Sequence, residues 1–359
     1  NLGAIYYEDK YVRRDIEKAI HYYTLAANQN DPNAQYILGI IYKDGNYVPR
    51  DIDKAIYYFQ LSADQNHLSS LSNLGYIYRN EKYNKLDINK SIHYFTLAAN
   101  YNEFYAHFNL AVIYYEGKYV KRNINKVISY LSLAANQNCS EAQYNLGMIY
   151  YEGMYVKQDI NKAIHYFSLS SNNNFAFAQL FLGQCYLLGI HVEQNIRRGM
   201  NYLIKSSYNG SITANFMVGS LFHDGSYIKQ DIQKSIDYYK KASSFNNKFA
   251  KNNLGVIYKN EGNIGLAISY FEEGIKRYND KLSMYNLSHI YIYKDKSKKR
   301  IDEAIGLLIK LFNLSFHQSL NLLCVALIKK HGFNFQRIQM ELLERTNKLS
   351  SLSSAVFQI

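Results

Sequence analysis

The chain has 359 residues, a formal charge of +12 and 48% apolar residues, enough to build a core and to exclude wholesale disorder. No run of about 18 apolar residues occurs, which excludes an ordinary membrane-spanning helix. Three widely spaced cysteines, Cys139, Cys185 and Cys324, exclude a disulfide framework and point to a reducing, cytoplasmic or other intracellular compartment.

Reading from the N-terminus, a Leu-Gly-like pair recurs every 36 residues, at Leu2-Gly3, Leu38-Gly39, Leu74-Gly75, Leu110-Ala111, Leu146-Gly147, Leu182-Gly183, Val218-Gly219 and Leu254-Gly255. An aromatic keeps step at Tyr6, Tyr42, Tyr78, Tyr114, Tyr150, Tyr186, Phe222 and Tyr258, and a second series runs from Tyr22 through Tyr58, Tyr94, Tyr130, Tyr166, Tyr202 to Tyr238. Three ladders in one register define an internal repeat, which outranks every other signal in the chain. The first match begins at Asn1, inside a helix, so the natural protein is expected to extend upstream.

Within one unit, Ala34, Leu38, Ile41 and Tyr42 form an apolar stripe at helical spacing. Gly39 costs this helix roughly 1 kcal/mol of propensity, and close approach of a neighbouring helix is the expected compensation. Asp44-Gly45 ends helix A, with glycine free to take the left-handed cap. After a short loop Asp51 is placed to cap helix B, as are Asp15, Asp87, Asn123, Asp159, Asn195 and Asp231 in their own units. Helix B is apolar at Ala55, Tyr58, Phe59 and Ala63 and stops at Asn66, a residue at ease in the left-handed region. Asn30, Asn102, Asn138, Asn174, Gly210 and Asn246 repeat that stop.

The string Ala34, Leu38-Gly39, Tyr42, Gly45, Tyr47-Val48, Asp51, Lys54-Ala55, Tyr58, Ala63, Asn66 resembles the Sel1-like repeat, a relative of the tetratricopeptide repeat (TPR) with a longer internal loop. Tyrosine stands where the family usually has tryptophan in helix B, and asparagine replaces the closing glycine; both keep the physics. The resemblance implies an all-α fold, a right-handed superhelical solenoid of about nine to ten helix pairs. The array is expected over residues 1–289, with residues 255–289 in a shorter, TPR-like form. Residues 290–359 are read as degenerate repeats and a capping helix (FQRIQMELLERTNKL).

No HExxH, GxSxG, phosphate-binding loop or paired-cysteine motif occurs. His21, His93 and His165 share one repeat position and form a ladder rather than a cluster. No enzyme, cofactor or metal is expected.

What remains is surface. The resemblance implies that the A helices line a concave groove. There, the asparagine before the leucine, at Asn1, Asn73, Asn109, Asn145, Asn253 and Asn286, could hold the backbone of a bound peptide, a carboxamide being both donor and acceptor. Nearby, Tyr36, Phe108, Tyr144, Met148 and Phe216 predict an apolar, aromatic-rich lining. The alternatives for these residues are bonds between neighbouring A helices and burial by tight winding. Positive charge recurs in the loops at Lys121, Arg122, Lys157 and Lys229. It recurs inside helix B at Lys18, Lys54, Lys90, Lys126, Lys162, Arg198 and Lys234, and clusters at Lys294, Lys296, Lys298, Lys299 and Arg300. The leading expectation is a scaffold or adaptor gripping an extended peptide or partner segment in the groove. The second is a basic platform for nucleic acid or anionic surfaces. The third is a solenoid that self-associates through its open N-terminal repeat.

Overall fold

The computed structural model describes residues 2–8, 13–294 and 297–345. Asn1, Lys296 and the part of the C-terminal stretch beyond residue 345 lie outside them. Among the described residues there are twenty α-helices, one short 3-10 turn and no strand. They alternate as A and B helices: α1 (Leu2–Tyr7) with α2 (Ile16–Asn28), α3 (Pro32–Asp44) with α4 (Ile52–Ala63), α5 (Leu68–Arg79) with α6 (Ile88–Asn100), α7 (Phe104–Glu116) with α8 (Ile124–Ala135), and α9 (Ser140–Glu152) with α10 (Ile160–Asn172). The series continues with α11 (Ala176–Leu188) and α12 (Ile196–Tyr208), α13 (Ile212–Asp224) and α14 (Ile232–Ser244), α15 (Lys248–Asn260) and α16 (Ile264–Tyr278), α17 (Lys281–Tyr293) and α18 (Lys298–Asn313), and α19 (Ser319–His331) and α20 (Phe335–Arg345). Two compact units divide after Leu182, inside α11.

The helices begin and end where their sequences direct. Asp51 accepts from the Lys54 amide at 2.9 Å, and Asp15, Asp87, Asn123, Asp159, Asn195 and Asp231 make the equivalent bond in their own repeats. Asn30, Asn66, Asn102, Asn138, Asn174 and Asn246 all have φ between 60° and 66°, the left-handed stop expected of them. The internal loop is closed by one backbone bond, Asp51 N to Tyr42 O at 3.0 Å. A side chain one residue earlier donates to carbonyls near the end of helix A: Arg14 to Tyr7, Arg122 to Tyr115, Gln158 to Tyr151 and Gln230 to His223.

In the N-terminal unit each helix from α1 to α10 packs on the one before it. The core is a repeated contact between the glycine of helix A and a ring from helix B. A Cβ on Gly39 would lie 2.6 Å from Phe59, and one on Gly147 would lie 2.7 Å from Phe167, so only glycine admits the ring. Phe59, Phe95 and Phe167 are fully buried in consequence. The two tyrosine ladders meet as stacked pairs, Tyr42 on Tyr58 at 5.9 Å and Tyr150 on Tyr166 at 5.9 Å. Each such pair adds about 0.5–1.5 kcal/mol beyond area burial. Buried Gln35 and Gln143 donate to Ala27 O and Ala135 O, tying each A helix to the end of the preceding B helix.

In the C-terminal unit the helices from α12 to α20 also pack in sequence. Tyr239 and Phe271 fill the ring position against Gly219 and Gly255. Buried Lys251 stands at the register of Gln35 and pairs with Glu273. From Ala267 onward the core becomes one continuous cluster rich in Ile and Leu, running through α17, α18 and α19 to Ile338 and Leu342 of α20. The predicted change of character at residue 290 falls inside α17, and α17 with α18 still forms a helix pair.

Candidate functional site

The asparagine series sits on the A helices, and the structure shows what each amide does. Asn73 accepts from Lys43 Nζ at 2.8 Å and donates to Ser69 O at 2.8 Å. Buried Asn109 accepts from Arg79 Nη1 at 3.1 Å and donates to Tyr105 O at 2.8 Å. A cation near the end of one A helix thus occupies the acceptor of the next asparagine, and the preceding helical turn occupies its donor. In the C-terminal unit Asn253 donates to Tyr239 Oη and Asn286 to Asn252 Oδ1, each at 3.0 Å. These are bonds within and between neighbouring helices of the chain itself.

Asn145 differs. The register position filled by Lys43 and Arg79 holds Tyr115, which offers no cation, and the Asn145 side chain makes no hydrogen bond. Two further departures converge there. Ala111 stands where the other repeats of this unit carry glycine, and Leu131 stands where most carry a ring. Where the aromatic ring is missing, an apolar cavity of about 280 Å³ opens between α7 and α9, with its floor on α8. Ala111, Val127, Leu131 and Ile149 are buried around it, while Tyr115, Met148, Asn145 and Glu152 rim it. Glu152 is exposed and has no cationic partner; its charge, after burial, helps push the neighbouring Tyr144 phenol up.

The remaining groove candidates pack against side chains of their own and the following hairpin. Half-buried Tyr36 lies against Phe59 and His67, Tyr144 against Phe167, Phe175 and Phe177, and Phe216 against Tyr239 and Phe249. Phe108 packs on the cluster that contains Leu131 and Leu146.

The basic residues divide into engaged and free. Each lysine just inside a B helix lies over the ring of its A-helix partner: Lys54 over Tyr42 at 5.2 Å, Lys126 over Tyr114 at 4.4 Å, Lys162 over Tyr150 at 5.1 Å. Such a contact contributes ~0.5–1 kcal/mol at an exposed site. Lys18, Lys54, Lys90, Lys162 and Lys234 also pair with the capping aspartate. Arg122 is held by Tyr115 O and Tyr155 Oη, and Arg300 by Tyr291 Oη and Glu303. Lys121, Lys157, Lys298 and Lys299 are exposed.

Among the described residues no three His, Cys, Asp or Glu side chains converge as a metal site. His21, His93 and His165 each lie edge-on to the following tyrosine on their own helix. Burial pushes the thiol of Cys185 up to about 11 and raises those of Cys139 and Cys324. No described helix is long and apolar enough to cross a membrane.

Glu152, Tyr115 and the 111/131 pair escaped sequence reasoning as parts of one site. The signal was present as departures from the repeat at positions 111 and 131 and as a tyrosine rather than a cation at 115, but its meaning needed the knowledge that residues 20 and 30 apart touch.

Tandem helix pairs of one length, joined by capped loops and stacked through a shared ring-on-glycine contact, define an α-solenoid repeat protein. The sequence matches the Sel1 repeat at residues 1–31, 32–67, 68–100, 104–139, 140–175, 176–211 and 212–244, and the chain belongs to the Sel1 repeat family. Proteins built on this fold are generally interaction scaffolds rather than enzymes. No curated protein matches the sequence. Among solved structures, c5321 of uropathogenic Escherichia coli, described as a protective antigen with this repeat fold, is similar at 24% identity and a TM-score of 0.69, over 96% of this chain and 75% of that one. A Sel1 repeat protein from Oxalobacter formigenes is similar at 27% identity and a TM-score of 0.58, over 63% of this chain and 93% of that one.

Proposed function

We propose that this chain is a non-enzymatic scaffold that receives an extended segment of a partner protein along its A helices, anchored at the cavity between α7 and α9. One observation carries the reading: an apolar cavity of about 280 Å³ is rimmed by an unengaged carboxamide and an unpaired carboxylate, Asn145 and Glu152. The apolar floor takes one aliphatic or aromatic side chain, which is where most of the affinity of such contacts resides. Asn145 offers a donor and an acceptor to the backbone of the same segment, each bond giving a net ~0.5–1.5 kcal/mol. Asn73 and Asn109 act as positioning groups between A helices, so the peptide is read at one place rather than by a continuous amide ladder. Glu152 favours a basic residue beside the anchor.

Peptide display against the intact chain tests this. Selected sequences should share an apolar anchor with a neighbouring Lys or Arg. Asn145→Ala should weaken them about tenfold, ~1.4 kcal/mol. The pair Ala111→Gly with Leu131→Phe restores the ring-on-glycine contact seen at Gly147 and Phe167 and should close the cavity and abolish binding while helicity is kept. Selected peptides that bind the double variant as tightly as the parent would end this reading.

A further inference from the structure

A second, chemically opposite site lies in the C-terminal unit, on the side of the B helices and loops. In the N-terminal unit Asp53 of α4 forms an ion pair with Lys85 of the next loop. The same two register positions, 32 residues apart in each case, hold Arg197 of α12 and Lys229 of the loop before α14. The positions that carry opposite charges at 53 and 85 therefore carry like charges at 197 and 229; at 89/121 and 125/157 a lysine faces an asparagine. Arg197 and Lys229 are exposed and make no ion pair, and both line one cavity of about 1170 Å³. Ile196, Ile204 and Ile228 give it an aliphatic stretch, beside the uncharged polar side chains of Asn195, Asn201 and Gln230.

The other charges at the cavity are already committed. Arg198 lies over the Tyr186 ring at 4.3 Å. Lys234 lies over the Phe222 ring at 5.3 Å and pairs with Asp231 at 3.2 Å. The Asp231 carboxylate also caps α14 through the Lys234 amide. Two cations left facing one cavity are a net field without a counter-charge, and a guanidinium presents a planar fork suited to an oxyanion.

We infer that this cavity binds an acidic peptide segment, its carboxylates between Arg197 and Lys229 and its apolar side chains on the isoleucine wall. Nucleic acid fits less well, because phosphate tracking needs a longer row of unengaged cations than Arg197 and Lys229 provide.

Fluorescence anisotropy on the intact chain decides the matter, with labelled peptides alternating Glu with Leu or Gln with Leu, and a labelled single-stranded oligonucleotide. The Glu/Leu peptide should bind, and the Gln/Leu peptide about tenfold or more weakly, as loss of charge-assisted bonds requires. Arg197→Asp places at this position the residue type that pairs with lysine at 53/85, so the fold should tolerate it. It should lower Glu/Leu affinity about tenfold or more with unchanged far-UV circular dichroism, and Lys229→Gln should act in the same direction. Arg197→Lys should retain most of the binding, and the Ala111→Gly, Leu131→Phe variant all of it. Equal binding of the Glu and Gln peptides, indifference to both Arg197→Asp and Lys229→Gln, or tighter binding of the oligonucleotide at the same residues overturns the assignment.

Discussion

Replacing Gly147 by alanine sets two effects of opposite sign against each other, and the structure decides between them. In an isolated helix the change gains about 1 kcal/mol. Here the new Cβ would lie 2.7 Å from two carbons of the Phe167 ring. That ring is fully buried and boxed in by Phe181 at 4.3 Å, Tyr144 at 5.6 Å and Tyr151 at 6.5 Å between centroids, so it has nowhere to retreat. Overpacking of this kind costs ~1–3 kcal/mol, and the expected net is a loss of up to about 2 kcal/mol. Adding Phe167→Leu, which copies the natural pair Ala111 and Leu131, should recover part of the loss. The coupling in the double-mutant cycle should be about 1–2 kcal/mol. Because contacts in a solenoid are between neighbours, the readout should be local: hydrogen exchange of α9 and α10, where 1.4 kcal/mol is tenfold in protection. Stronger protection in Gly147→Ala, or additive effects in the cycle, would refute the view that glycine is kept here for the ring.

Acid should loosen α15 and α16 specifically. The Lys251 ammonium hydrogen-bonded to Glu273 holds that carboxyl below the usual range, with Arg277 adding to the effect. A depressed carboxylate contributes stability above its ordinary value of about 4.3 and loses it as pH falls through the lower folded value. Hydrogen exchange of these helices should therefore rise below the ordinary glutamate range, and Glu273→Gln should remove that pH dependence; no change on acidification would contradict the pairing. The buried thiols should be slow toward a thiol-directed reagent near neutral pH, since only thiolate reacts and burial raises all three. All should react on unfolding, and rapid labelling of native Cys185 would show that α11 opens readily.

The helix ends were legible in the sequence because their causes are local. A capping Asp51 and a left-handed Asn66 act within one or two turns, so the residues that set the boundary stand next to it. The glycine in the Leu-Gly pair also announced a close approach, and Phe59 on Gly39 is that approach. The roles of the asparagines were not legible. Whether Asn109 faces a ligand or an arginine depends on Arg79, thirty residues earlier, and nothing in the local string distinguishes it from Asn145. The basic stripe was likewise visible as composition, yet Lys126 lying over Tyr114 and Arg122 held by Tyr155 depend on how helix A, helix B and the next loop meet.

The linear order of residues by itself determined the repeat, the helix pairs and their limits, since periodicity, caps and stops act over a few residues. The tertiary structure alone decided which polar groups remain unengaged, because an amide or a cation becomes available only when its neighbours in the adjoining repeats fail to supply a partner. Asn145, with Tyr115 in place of a cation, and Lys229, with Arg197 in place of an acid, are singled out by that test and by no property of their own.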